Sequence, residues 1–149
     1  MKIEIADRQD LPELLSLENR ALSPLCDKLG LGCSCLGSSS PEQAYEEFDE
    51  CVTLKVQNDK GRIIGSVQGD VAGGLLYIGR LMVLPEYQQH GIGRKLLHAI
   101  QNLIPHDRAW LYTCQEDDAT CRFYQREGFN IFEKITSKSG LTWLYMVKE

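Results

Sequence analysis

The sequence is poor in what would carry it into a bilayer, onto a nucleic acid or around a zinc ion. Its longest apolar runs fall far short of the ~20 residues that span a hydrocarbon core. No basic-then-apolar leader opens it. Those two absences predict a soluble, cytoplasmic protein with no membrane partner. Basic residues are outnumbered, 16 Lys and Arg against 21 Asp and Glu, for a formal net charge of -5. Nucleic-acid binding needs a basic face that displaces counterions, so that partner is not expected either. Histidine is scarce: His90, His98 and His106 all lie well away from most of the cysteines. The cysteines Cys26, Cys33, Cys35, Cys51, Cys114 and Cys121 contain a C-x-C pair at Cys33 and Cys35 but no C-x-x-C. A structural zinc site wants two such ligand pairs, so no metal is expected. Disulfides are not expected in a cytoplasmic chain, and Cys51, Cys114 and Cys121 fall in apolar patterns as small core residues.

What remains is an ordinary globular composition, 149 residues with 43% hydrophobic and 25% charged, long enough for one core. A single domain over residues 1–149 is expected. Ile3 and Ile5 alternate with charges in a short strand, and Asp10 stands as the cap of a helix carrying Leu11, Leu14, Leu15 and Leu22. From Ser23 to Ser40 the periodicity breaks into a Gly- and Ser-rich stretch, read as a loop with room for one helical turn. Ser40 and Gln43 form a capping box for a second helix through Phe48. Val52–Val56 and Ile63–Val67 read as strands around the turn 58–61. Gly69-Asp70 reads as a second turn, leading into a strand Leu75–Val83 that Pro85 stops. A strongly amphipathic helix follows from about Gly91, then a strand Trp110–Thr113 and a helix Asp117–Glu127. Two closing strands flank Ser139-Gly140. The order predicts a mixed α/β layer with a strand–helix–strand unit near its middle.

The most informative stretch is Leu81-Met82-Val83-Leu84-Pro85-Glu86-Tyr87-Gln88-Gln89-His90-Gly91-Ile92-Gly93-Arg94. A strand ends, the chain turns, and two glycines open a helix. The first turn of a helix has unpaired N–H groups and the positive end of the dipole, so this is a ready anion site. Gly91 and Gly93 let a pyrophosphate approach those amides, and Gln88 and Arg94 can add donors. A dinucleotide fingerprint would need a third glycine where Leu96 stands. A P-loop would need Gly-Lys-Ser or Gly-Lys-Thr, which the chain lacks. The pattern that survives is Gln88-Gln89-His90-Gly91-Ile92-Gly93. In it the chain resembles the GNAT family of N-acetyltransferases. A second segment, Phe123-Tyr124-Gln125-Arg126-Glu127-Gly128-Phe129, resembles the end of that family's second cofactor helix.

The resemblance implies an α/β fold of the acyl-CoA N-acyltransferase type: a mostly antiparallel central sheet whose middle strands splay apart, flanked by about four helices. It implies acetyl-CoA as cosubstrate. Backbone groups of Leu81, Met82 and Val83 would hold the pantetheine arm, and Gln88, Gln89, His90, Gly91, Ile92, Gly93 and Arg94 the pyrophosphate. Asp117 stands where the family often has Asn. Tyr124 is implied as the general acid toward the departing thiolate or as a contact to the cofactor alone, and the backbone N–H of Val83 as the oxyanion donor. The acceptor would be a primary amine on a small molecule, a peptide N-terminus or a lysine, attacking directly; a homodimer is compatible with the class. For the general base, the family's acidic position holds Gly79 and Arg80 here, leaving Glu18, Glu46 and Glu47 as candidates by helix position. The 21–40 segment is the candidate substrate-selecting lid. Competing readings are a non-catalytic acyl-CoA-binding module, a nucleotide-binding regulatory domain, and an acylated nucleophile at Cys114 or Cys121.

Overall fold

The structure is a computed structural model, and it describes residues 2–29 and 41–149. The Ser40 capping box and the 30–40 portion of the expected lid lie outside the described residues. In chain order the elements are β1 (Lys2–Ile5), α1 (Leu11–Leu29), α2 (Pro41–Glu50), β2 (Val52–Gln57), β3 (Ile63–Ala72) and β4 (Leu75–Val83). Then follow α3 (Ile92–Leu103), β5 (Arg108–Cys114), α4 (Asp118–Arg126), β6 (Asn130–Thr136) and β7 (Thr142–Lys148). The expected order of elements is the observed one.

Three local expectations are corrected. Asp7, not Asp10, caps the entry to α1: its carboxylate accepts the Gln9 N–H at 2.9 Å, while Asp10 reaches back to the Asp7 N–H at 2.9 Å. Helix α1 does not stop near Ser23 but runs to Leu29 through Pro24. Proline deprives the carbonyl of Arg20, four residues earlier, of its donor, and Arg20 and Pro24 are both exposed. Gly69-Asp70 is not a turn. It lies inside β3, and the turn falls at Gly73 and Gly74, both with positive φ.

Gly69 is there for packing. A Cβ at that position would meet Ile100 at 2.8 Å and Ile104 at 2.9 Å, and one at Gly65 would meet Leu96 at 3.2 Å. Two side-chain-free positions on one face of β3 thus let α3 sink onto the sheet, with Leu96, Leu97 and Ile100 fully buried. The alternate residues Ser66 and Gln68 face the other way, toward Leu14 and Glu18 of α1. Helices α1 and α2 therefore cover one face of the sheet and α3 the other.

The seven strands pair in the order β1-β2-β3-β4-β5-β7-β6, antiparallel everywhere except between β4 and β5. That pair is joined through α3, as a parallel crossover requires. It is also short: only Leu75, Leu76 and Tyr77 match Arg108, Ala109 and Trp110. Beyond Tyr77 the two strands part, and the sheet forks.

Candidate active site

The backbone of β4 is prepared for the fork by a bulge. Ser66 pairs with Met82 and Gln68 with Gly79, so Arg80 and Leu81 together stand opposite Val67. Arg80 adopts φ 51, a left-handed conformation that costs a non-glycine residue about 1 kcal/mol. Two carboxylates hold it there: Glu18 of α1 and Glu47 of α2 each approach its guanidinium at 2.6 Å. Glu18 is 4% exposed. The bulge shifts the alternation by one, so Leu76 and Ile78 face α3 whereas Met82 faces α1.

Past the bulge, hydrogen bonding fixes which groups face the opening. The Leu84 N–H donates to the Ile64 carbonyl at 2.9 Å. In an antiparallel ladder the bonded pairs alternate with unbonded ones. The neighbouring pair, Val83 opposite Gly65, is therefore unbonded, and the Val83 N–H and C=O turn away from β3 toward the fork. Met82 turns its own groups to Ser66. The Val83 carbonyl accepts from the Gln88 side-chain amide at 3.0 Å, which folds the turn back on the strand end. Tyr87 helps to anchor that turn, accepting from the Asn58 amide at 3.2 Å.

The turn delivers the chain to α3 with Gln89 at φ 66 and Gly91 at φ 81. Gly91 is the residue before the helix and has no capping side chain. A Cβ on Gly91 would meet nothing within 4 Å, and one on Gly93 would meet only Val83 Cγ2 at 3.9 Å. At Gly91 the left-handed φ already favours glycine, whereas at Gly93 nothing in the described residues requires the missing side chain, and the first amides of α3 are open. Gln88, Gln89, His90 and Gly91 are exposed around them, and Ile92 points into the core at 5% exposure. Arg94 is exposed and pairs with Glu127 at 3.3 Å, where His98 Nε2 also meets the same carboxylate at 2.6 Å. That shared carboxylate ties α3 to the end of α4.

Across the fork, Asp117 precedes α4. Its N–H donates to the Cys114 carbonyl at 3.0 Å, its own carbonyl accepts from Cys121, and its carboxylate makes no cap bond. Tyr124 is buried on α4 against Phe123 and Phe129, with the Phe129 ring edge-on at 5.9 Å. Burial, with the nearby Asp117 charge, pushes its phenol above the ordinary tyrosine range, so it stays protonated. Burial also raises Cys121 to about 11, with Asp117 and Asp118 adding to it, and raises Cys114. The burial that raises both disfavours the thiolate that an acylated-cysteine intermediate would need. Of the candidate bases, Glu18 and Glu47 are engaged with Arg80 and Glu46 is exposed.

Sequence reasoning did not find the clamp on Arg80, nor an aromatic face on the α1 side of the sheet. Tyr77 of β4, Trp110 and Tyr112 of β5, and Trp143 and Tyr145 of β7 share that face; Tyr77 and Trp110 centroids lie 4.7 Å apart and Tyr112 and Tyr145 5.5 Å apart. A signal was present, because Trp110-x-Tyr112 and Trp143-x-Tyr145 have the strand period of two.

A forked sheet with a helix N-terminus at its open end is the architecture of the acyl-CoA N-acyltransferases. The family profile described as "Acetyltransferase (GNAT) domain" matches residues 28–149, and the chain belongs to that family. It is accordingly an acetyltransferase that draws on acetyl-CoA. A Bacillus subtilis protein, YyaT, described as uncharacterized, is 22% identical over 110 residues, 70% of this chain and 74% of its own length. Among solved structures, the ribosomal-protein-S18-alanine N-acetyltransferase of Escherichia coli superposes with a TM-score of 0.79 at 19% identity, covering 99% of this chain and 92% of that one. The PaiA N-acetyltransferase of Thermoplasma acidophilum, solved with coenzyme A, gives 0.74 at 18% identity over 100% and 99%. At these identities the likeness to solved structures is one of fold.

Proposed function

We propose that the chain transfers the acetyl group of acetyl-CoA directly to a primary amine lying on the α1 face of the fork. The observation that carries this reading is the orientation of Val83: its N–H faces the opening between β4 and β5, fixed by the Leu84–Ile64 bond one residue on. The pyrophosphate of the donor sits on the amides from Gly91 to Arg94, with Gln88, Gln89 and His90 around it and Asp117 at the far wall. The pantetheine arm runs along Leu81, Met82 and Val83. A neutral amine nitrogen attacks the thioester carbonyl, and the carbonyl oxygen takes up the negative charge opposite the Val83 N–H. One such donor is worth roughly 3 kcal/mol in acyl transfer. Collapse breaks the C–S bond, Tyr124 gives its proton to the leaving sulfur, and the surplus proton on nitrogen passes to water. Orientation of amine against thioester supplies much of the remaining acceleration.

The test is free-thiol release from acetyl-CoA with a panel of small amines, N-terminal peptides and lysine peptides, alongside mass measurement of the products. Release that requires an amine and yields the N-acetyl product supports the reading. Tight donor binding with no release on any amine would make the chain a donor-binding module instead.

A further inference from the structure

The aromatic face begins where the fork opens. Tyr77 and Trp110 are the last matched rung of β4 and β5, and the rings continue across β5 and β7 to Phe132 of β6, whose centroid is 6.3 Å from Tyr145. Tyr112 is 46% and Phe132 56% exposed. Helices α1 and α2 pack on β2, β3 and β4, and no helix among the described residues covers this side of β5, β7 and β6. The Tyr77 ring lies flat along its strand over Gly79, where a Cβ would meet its hydroxyl at 2.9 Å.

Acidic residues stand at two rims of this floor. Asp70 stands directly opposite Tyr77 across β3 and β4, and Glu133 directly opposite Tyr145 across β6 and β7. Both are exposed, and neither has a cationic partner among the described residues. They lie at opposite rims, four strand spacings or about 19 Å apart. The cations nearby are already matched: Arg80 by Glu18 and Glu47, and Arg108 by Glu149 at 3.6 Å. Ring faces attract cations through their quadrupoles, and unpaired carboxylates at the rim add to the same potential.

We infer that this face is the acceptor subsite for an organic cation, so that the acceptor is an amine carrying a second, non-reacting positive charge. The inference rests on the acetyl-transfer reading for the word acceptor, but the binding of the cation does not. The free amine reaches the fork beside Tyr77, and the remote charge seats on Trp110, Tyr112 and Tyr145 between the two carboxylates.

The chain has two tryptophans, and both are in this face, so intrinsic fluorescence reports occupancy without any turnover. The probe pair is aminopropyl-trimethylammonium and its carbon isostere, in which a quaternary carbon replaces the quaternary nitrogen. The cation is expected to change tryptophan emission saturably, to bind roughly tenfold tighter than the isostere, and to be the better acceptor by a similar factor in kcat/KM. Tyr112→Leu and the double variant Asp70→Asn, Glu133→Gln should each weaken the cation more than the isostere and leave acetyl-CoA affinity unchanged. Equal binding of the two probes, or no change in emission while the isostere is acetylated well, overturns the inference and leaves the acetyl-transfer reading standing. Saturable, cation-selective emission without turnover on any amine does the reverse. Sedimentation showing a dimer that shields both tryptophans at assay concentration would assign the face to a second copy and overturn it too.

Discussion

The amide of Leu84 donates to the carbonyl of Ile64 at 2.9 Å, and this bond decides what the end of β4 offers its surroundings. By the alternation of an antiparallel ladder it turns the Val83 amide away from β3 and into the gap left by β5. The gap exists because the β4–β5 ladder stops at Tyr77 and Trp110. A bonded strand pair would have used the same amide for structure. The fork instead leaves a fixed donor available for chemistry, on a strand held by its other neighbour.

Gly93 separates stability from binding. Its Cβ position is open, touching only Val83 Cγ2 at 3.9 Å, and alanine in a helical turn is better than glycine by about 0.5 kcal/mol. Gly93→Ala should therefore unfold at equal or higher urea concentration while its acetyl-CoA dissociation constant rises roughly tenfold. Titration calorimetry beside equilibrium unfolding measures both. A variant that binds acetyl-CoA normally would remove Gly93 from the phosphate site.

Much of this was legible from the chain, and the misses have physical reasons. The turn into α3 is local: a strand end, Pro85 and two glycines suffice to specify it. Gly69 misleads because glycine serves turns and close packing alike, and only Ile100 and Ile104, some thirty residues away in sequence, tell which. The persistence of α1 past Pro24 runs against the local rule that proline breaks a helix. The bulge at Arg80 leaves no local mark, since arginine is a poor choice for φ 51. Two carboxylates from α1 and α2 compensate it, and only the folded chain brings them together.

That clamp has a testable energetic signature. Arg80→Met leaves the buried Glu18 without its arginine and should cost about 3 kcal/mol. Adding Glu18→Leu should restore at least half of that loss, because the buried carboxylate is then gone. Urea unfolding of the two single variants and the double variant gives the coupling. Simple additivity of the single effects would show that the pair is not the unit of stability here.

The pair of Asp10 and Lys55, at 2.8 Å, bears on acid stability. Burial alone would raise Asp10, but the Lys55 hydrogen bond, the Asp7 amide and the Lys55 charge together outweigh it and hold the carboxyl below its usual range. Its folded pKa is thus below the unfolded value near 3.9, so its contribution is present above that pH and lost as pH falls through the folded pKa. Asp10→Asn should cost about 1.5 kcal/mol between roughly pH 5 and pH 8, a gap that closes on acidification below about pH 4. Unfolding free energies of both proteins across that range test it. A gap that widens in acid would mean the sign is wrong.

Burial raises the Tyr124 phenol above the ordinary tyrosine range, so it enters the reaction protonated. The decisive measurement is kcat and acetyl-CoA affinity of Tyr124→Phe with an amine that the wild type acetylates. Loss of roughly 100- to 10,000-fold in kcat with the dissociation constant for acetyl-CoA within about twofold is the expected result. Wild-type turnover by the phenylalanine variant would contradict it, because the leaving thiolate would then be protonated by some other group.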